Sequence, residues 1–363
     1  MNIIGQHLDL KKISEEYFEK INLKMLKPDK RFNQYTITYT NGAKTCYQQE
    51  HSVIALFDLE LEKAKKNSNL NNKFITFLEF IFDKENDHFF LKELICGKPN
   101  QLAEIIKILE NKRCNVNFFH DSEEAKIITK IFNYNKLVID QGLNKWICNK
   151  LELRVCPYCN AQYVFSVEKT AKFQLDHFYP QAKYPYLMLS FFNLIPSCAN
   201  CNHKKRAVDT YKKYYLTHPY EDSFHEKAKY ITDQKMIKSF IETGKFRIEE
   251  LKISLSNTDD QLVGNHDQIF DLEEIANVHK DIVIELYMKA YIYCDSMKTD
   301  LAKSFIATIG EGEAGKKLAL FTEDEINRIV FGNYIDPEDF HKRPLSKLTR
   351  DIAEELELVK SSI

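Results

Sequence analysis

Apolar residues recur on helical faces through most of this chain, and the pattern lapses once, near the middle. Val53, Ile54, Phe57 and Leu61 start one amphipathic stretch, Phe74, Phe77, Leu78 and Ile81 a second, and Leu102, Ile105, Ile106 and Leu109 a third. Asp121-Ser-Glu-Glu124 reads as a capping box opening a helix through Ile127, Ile128 and Ile131. Ile139, Leu143 and Trp146 extend the pattern. Residues 1–150 are therefore expected to be mostly helical. A short hairpin is expected over Phe32–Tyr39, where aromatic and β-branched residues run into Asn41-Gly42.

The texture changes at Cys156. Gln162–Glu168 reads as a strand, Lys172–Asp176 as a second strand, and Cys201–Tyr211 as a helix, after a loop punctuated by Pro180, Pro185 and Pro196. Beyond Tyr214 the helical period returns. Leu272–Met297 carries Ile275, Val278, Ile282, Ile284, Tyr287, Ala290 and Tyr293 as one long stripe. Thr322–Glu325 is a second capping box, and Lys347–Leu358 is expected to be the last helix. The expected organisation is α+β but mainly α: a small ββα core at 151–215 between helical regions at 1–150 and 216–363.

Composition narrows the class. The chain has 363 residues, 44% hydrophobic and 29% charged, as in soluble globular proteins. No apolar run reaches the roughly 20 residues a membrane helix needs. The start lacks a basic stretch followed by an apolar one, so the cytoplasm is the expected location. Net charge is −2, but it is unevenly spread. Lys150–Lys213 holds ten Lys/Arg against four Asp/Glu, and Phe246–His279 holds two against eight. A basic centre allows a local nucleic-acid site in a nearly neutral protein, and ordinary solvated faces account for the same counts.

Four of the nine cysteines form two pairs, Cys156-Pro-Tyr-Cys159 and Cys198-Ala-Asn-Cys201. Two residues between thiolates let one knuckle present both sulfurs to a tetrahedral ion, so the pairs read as a structural Zn²⁺ site. Such a site closes its own coordination shell and staples the fold. Cys46, Cys96, Cys114, Cys148 and Cys294 read as small buried apolar residues.

Between the pairs lies Leu175-Asp176-His177-Phe178-Tyr179-Pro180. Adjacent strand residues face opposite ways, so Asp176 and His177 can act on different partners. Asn202 offers a hard oxygen, suited with Asp176 to a divalent cation such as Mg²⁺ or Mn²⁺. His177 is then the candidate base for an attacking water. Lys205, with Lys204 and Arg206 beside it, is a candidate phosphate contact. Asn202 also suits a helix N-cap, and Asn193 suits side-chain bonding within a turn.

As a set, Cys-x-x-Cys, Asp-His-x-x-Pro, Asn193-Leu194 and Cys-x-x-Cys-Asn-x-x-Lys resemble the HNH endonuclease ββα-metal motif across residues 156–205. The resemblance implies His177 as first His and Asn193 as central Asn. Asn202 then fills the final His position, with His203 as the alternative. Leu-Asp-His-Phe-Tyr-Pro, Tyr184-Pro185, Asn193-Leu-Ile-Pro-Ser-Cys198 and His218-Pro-Tyr further resemble the nuclease subunits, PtuB, of Septu-type anti-phage systems. That resemblance implies DNA cleavage within a defence complex, an ABC/SMC-like ATPase partner (PtuA-like), and copies of the chain associating within the complex. The alternative is a zinc-stapled module that binds nucleic acid or protein without cleaving.

Gly310-Glu-Gly-Glu-Ala-Gly315-Lys316-Lys317 matches the glycine and lysine spacing of a phosphate-binding loop. It lacks the Ser/Thr for Mg²⁺ and carries two glutamates where phosphate would sit, so it reads as a solvated loop.

Overall fold

The computed structural model describes residues 4–22, 28–29, 34–35, 52–112, 122–167, 170–233, 235, 239, 242–243, 248–258, 260–292 and 323–359. The protein is mainly helical with small two-stranded sheets. No described helix is long and apolar enough to cross a membrane. The chain divides into two compact units, one of Gly5–Glu152 with Phe165–Glu221, the other of Met1–Ile4, Leu153–Val164 and Asp222–Ile363.

The first unit begins with α1 (Leu10–Ile21), capped by Asp9. β1 (Pro28–Asp29) pairs antiparallel with β2 (Gln34–Tyr35). The rest of the hairpin expected at Phe32–Tyr39 lies outside the described residues. Next come α2 (Val53–Lys66), α3 (Asn72–Phe82), α4 (Phe89–Cys96), α5 (Pro99–Lys112), α6 (Glu123–Ile131) and α7 (Leu143–Lys150). Ser52 caps α2, and Lys63, Lys65 and Lys66 in its last turn complement the helix dipole. α3 stops where Asp83 turns left-handed. α2 packs on α3 and α6: Phe57 stacks on Phe82 at 4.8 Å and meets Phe132 edge-on at 5.8 Å. The expected faces of α3, α5 and α6 are buried.

Three details differ. Leu56 rather than Ile54 completes the buried face of α2. The cap of α6 is Ser122, whose Oγ accepts from Ala125 N, one residue later than the capping box implied. Ile139 is exposed, because a π-helical turn (Asn135–Ile139) and left-handed Gly142 separate it from α7 and rotate it off that face.

The middle of the chain departs most from expectation. β3 (Gln174–His177) pairs antiparallel with β4 (Leu194–Ser197), and α8 (Ala199–Lys205) follows. The described residues of the strand expected at Gln162–Glu168 form no strand and make only the isolated bridges Val155↔Tyr163 and Ser166↔Ala171. Their backbone groups are spent on the cysteine knuckle: Cys156 N donates to Gln162 O, and Val164 N to Arg154 O. Pro196, expected in a loop, lies within β4. It sits opposite Leu175, a position whose N–H points away from the two-stranded ladder. α8 ends at Arg206 (φ 41°), well before Tyr211.

The second unit contains β5 (Tyr230–Thr232), β6 (Ile253–Leu255), α9 (Gln261–Phe270), α10 (Leu272–Val278), α11 (Lys280–Ile292), α12 (Glu323–Phe331) and α13 (Ser346–Glu355). The stripe expected over Leu272–Met297 is cut at His279. The break shifts the helical phase, so Val283 and Leu286 are buried and Val278 is exposed. Residues beyond 292 in that stripe, and Gly310–Lys317, lie outside the described residues.

β5 and β6 form a two-stranded antiparallel sheet whose outer edges are both closed by helix side chains. On β5, Tyr230 N donates to Asp351 and Thr232 N to Glu355, an i,i+4 pair on α13. On β6, Ile253 N donates to Asn277 and Leu255 N to Glu273, an i,i+4 pair on α10. Strand residues two apart send their N–H groups the same way, and helix residues four apart share a face, so the two periods match.

Candidate metal centre and hydrolytic site

The Sγ atoms of Cys156, Cys159, Cys198 and Cys201 lie within 4.8 Å of one another, and all four residues are buried. A Zn–S bond of about 2.3 Å in tetrahedral geometry requires sulfurs about 3.8 Å apart. The donor set fits Zn²⁺ in chemistry, and no sulfur pair exceeds that ideal separation by more than about 1 Å. Backbone donors approach two of the sulfurs: Ala161 N lies 3.5 Å from Cys159 Sγ, and Cys201 N lies 3.5 Å from Cys198 Sγ. Burial pushes the thiols of Cys96 and Cys148 up to about 12 and keeps each protonated. Cys148 is buried as expected, Cys96 is half-buried with its thiol donating to Ser14 O, and Cys46, Cys114 and Cys294 lie outside the described residues.

Alternation along β3 sends Gln174 and Asp176 to one face and Leu175 and His177 to the other. α8 packs on β3. Asn202 and Lys205, three apart on α8, reach the Gln174/Asp176 face. Asn202 Nδ2 donates to Gln174 Oε1 at 2.6 Å. Its Oδ1 takes no hydrogen bond among the described residues, so a hard oxygen remains for another partner. Lys205 Nζ lies 3.0 Å from Asp176 Oδ2 and 3.2 Å from Oδ1, and donates to His177 O at 2.7 Å. Three acceptors thus meet its three ammonium protons. Burial lowers the Lys205 pKa while Asp176 opposes the shift. Lys205 is fully enclosed, so its ammonium faces Asp176 rather than solvent. Lys204, Arg206 and His203 are exposed on the outer side of α8.

On the opposite face, His177 Nε2 lies 3.1 Å from Met188 O. A carbonyl can only accept, so Nε2 carries the proton and Nδ1 keeps the lone pair. Burial holds the imidazole below its usual pKa, against the raising effect of the Met188 bond. Tyr134 meets the ring edge-on at 5.0 Å. The result is a neutral imidazole of fixed tautomer with a basic nitrogen.

Asn193 ties the long loop between the strands. Its Oδ1 accepts from Tyr179 N at 2.7 Å, and its Nδ2 donates to Tyr179 O at 3.2 Å and Leu187 O at 3.0 Å. It is fully buried. The first unit's helices seat the same loop: Ser190 Oγ donates to Leu94 O, Phe191 meets Tyr17 at 5.6 Å, and Tyr186 meets Phe77 at 6.3 Å. The helical region therefore sets the position of Met188, and through it the His177 ring.

Gln174, Met188 and Tyr134 were not singled out in the sequence. Gln174 carried a signal, since it sits two residues before Asp176 on the same strand face. Met188 acts through its backbone and Tyr134 comes from a distant turn, so neither has a local signature.

No family model matches the chain, and no solved structure matches it. A protein of Bacillus thuringiensis named Septu protein PtuB is 29% identical to it over 92 residues, 25% of this chain and 35% of that protein. The matched segment thus spans about a third of that protein's length. Over that segment the likeness supports a Septu-like relationship for this chain.

Proposed function

We propose that the protein is a metal-dependent nuclease of the HNH type that hydrolyses DNA phosphodiester bonds. In this reading residues 151–215 are the catalytic core and residues 1–150 and 216–363 its helical flanks. The observation that carries it is the hydrogen bond from His177 Nε2 to Met188 O, which leaves Nδ1 as the acceptor. His177 Nδ1 removes a proton from water, the hydroxide attacks phosphorus, and the bond to the leaving oxygen breaks. Asp176 and the Asn202 Oδ1 would hold Mg²⁺ or Mn²⁺, which when bound supplies positive charge to the departing oxygen. A carboxylate has about four lone-pair sites, so Asp176 can engage Lys205 and a cation together. Lys205 orients Asp176, Asn193 fixes the loop that carries the Met188 carbonyl, and Lys204 and Arg206 meet the phosphate backbone. The relative's name supports a place in a Septu-type system; in this reading an ABC/SMC-like ATPase is the partner and copies of this chain associate within the complex.

The Asp176–Lys205 pair also favours a second reading, because it is already neutralised: a zinc-held module that binds nucleic acid or protein without cleaving. A plasmid-nicking assay with Mg²⁺ or Mn²⁺, with and without the ATPase, separates the two. The nuclease reading expects nicking by the wild type and loss of about 10²-fold or more in His177→Ala. Equal nicking by both proteins would remove His177 from the reaction, and no nicking under any condition would favour the binding module.

A further inference from the structure

The backbone turns left-handed at Asn160 (φ 52°), the residue after Cys159. Asn160 is 4% exposed, and each of its polar groups is engaged. Its N–H donates to Cys156 O at 2.9 Å, closing the knuckle. Its carbonyl accepts from Leu345 N at 2.6 Å. Its Oδ1 accepts from Lys347 N at 3.0 Å, and its Nδ2 donates to Phe340 O at 2.9 Å. On the other flank of the cysteine pair, Arg154 N donates to His341 O at 3.1 Å. Both ends of the knuckle are therefore stitched to residues 340–347.

Those residues lead into α13. The residue in its cap position, Leu345, has no capping side chain. Helix N-termini leave N–H groups without intrahelical partners, and Asn160 supplies the missing acceptor from a remote part of the chain. The first turn of α13 is thus capped by the residue adjoining a metal-ligand pair.

We propose that Asn160 is a positioning residue coupling metal occupancy at Cys156 and Cys159 to the docking of residues 340–347 and the start of α13. The inference rests on the zinc reading. Metal bound to both thiolates fixes the turn that aims Asn160, and a docked 340–347 segment pre-positions the thiolates for metal. A coupling of this kind is reciprocal by linkage. Residues that orient metal ligands through hydrogen bonds typically contribute 10–100-fold to affinity.

The test compares wild type with Asn160→Gly, which keeps the left-handed backbone while removing the side-chain bonds. Asn277→Ala is the control. Asn277 holds β6 through the N–H and carbonyl of Ile253 and is bonded neither to the knuckle nor to residues 340–347. Zn²⁺ affinity is read by competition with a chromophoric chelator. Hydrogen exchange of the 340–347 peptide is read with and without Zn²⁺. The expected result is a loss of zinc affinity of about 10–100-fold in Asn160→Gly, wild-type affinity in Asn277→Ala, and faster exchange at 340–347 when wild-type zinc is stripped. Equal affinity in wild type and Asn160→Gly overturns the coupling, as does equal loss in Asn277→Ala. If Asn160→Gly does not fold, wild-type exchange that ignores zinc overturns it alone. A wild type that takes up no zinc overturns the zinc reading itself, a distinct outcome.

Discussion

Lys205 Nζ sits 3.0 Å from the Asp176 carboxylate, and neither side chain reaches solvent. Removing one partner of a buried pair leaves the other charged and uncompensated, which costs about 3–5 kcal/mol. Lys205→Met is expected to lose that much in denaturant titration, and Asp176→Leu/Lys205→Met to regain a large part of it. A single variant as stable as wild type would show that the charges are not coupled as described.

Asn193 makes three side-chain bonds across the loop between the strands. Asn193→Ala leaves the Tyr179 and Leu187 backbone groups buried without partners, at a cost of about 2–4 kcal/mol. Because the loop carries Met188, the variant is also expected to broaden or shift the His177 imidazole resonance in NMR. An unchanged resonance would separate Asn193 from the positioning of His177.

The four-sulfur cluster predicts one zinc per chain by elemental analysis. Cys198→Ser is expected to lose metal and to lower the melting temperature, and a strong chelator to lower it in wild type. A zinc-free Cys198→Ser protein with wild-type stability and activity contradicts a stapling role.

Lys204 and Arg206 lie on the exposed side of α8. If they meet phosphates, Lys204→Glu and Arg206→Glu weaken DNA binding alike across sequences, each reducing the slope of log affinity against log salt by about one. A slope identical to wild type would place the nucleic acid elsewhere.

The helices of the first unit were legible because buried faces impose a 3.6-residue period, as Phe74, Phe77, Leu78 and Ile81 show. The long stripe after Leu272 misled because a period cannot register a break at His279 that rotates one half against the other. Strand identity failed for a different reason. Gln162–Glu168 has strand-like composition but spends its hydrogen bonds on the cysteine knuckle, while Leu194–Ser197 hides a strand behind Pro196. The convergence of the two cysteine pairs was legible from spacing alone. Lys205 was not, since a lysine beside Lys204 and Arg206 looks solvent-facing until its packing against Asp176 is known. The His177 tautomer depends on the Met188 carbonyl, and a backbone acceptor leaves no trace in residue identity.

The sheet of β5 and β6 has helix carboxylates and an amide where further strands would pair. An open sheet edge is a template for strand addition by another chain. Here both templates are consumed within the fold. A partner protein cannot extend this sheet by β-augmentation without first displacing α10 or α13, so assembly through this part of the molecule must use helix faces or side-chain surfaces. The same closure protects the short strands from edge-to-edge aggregation when many copies are crowded together.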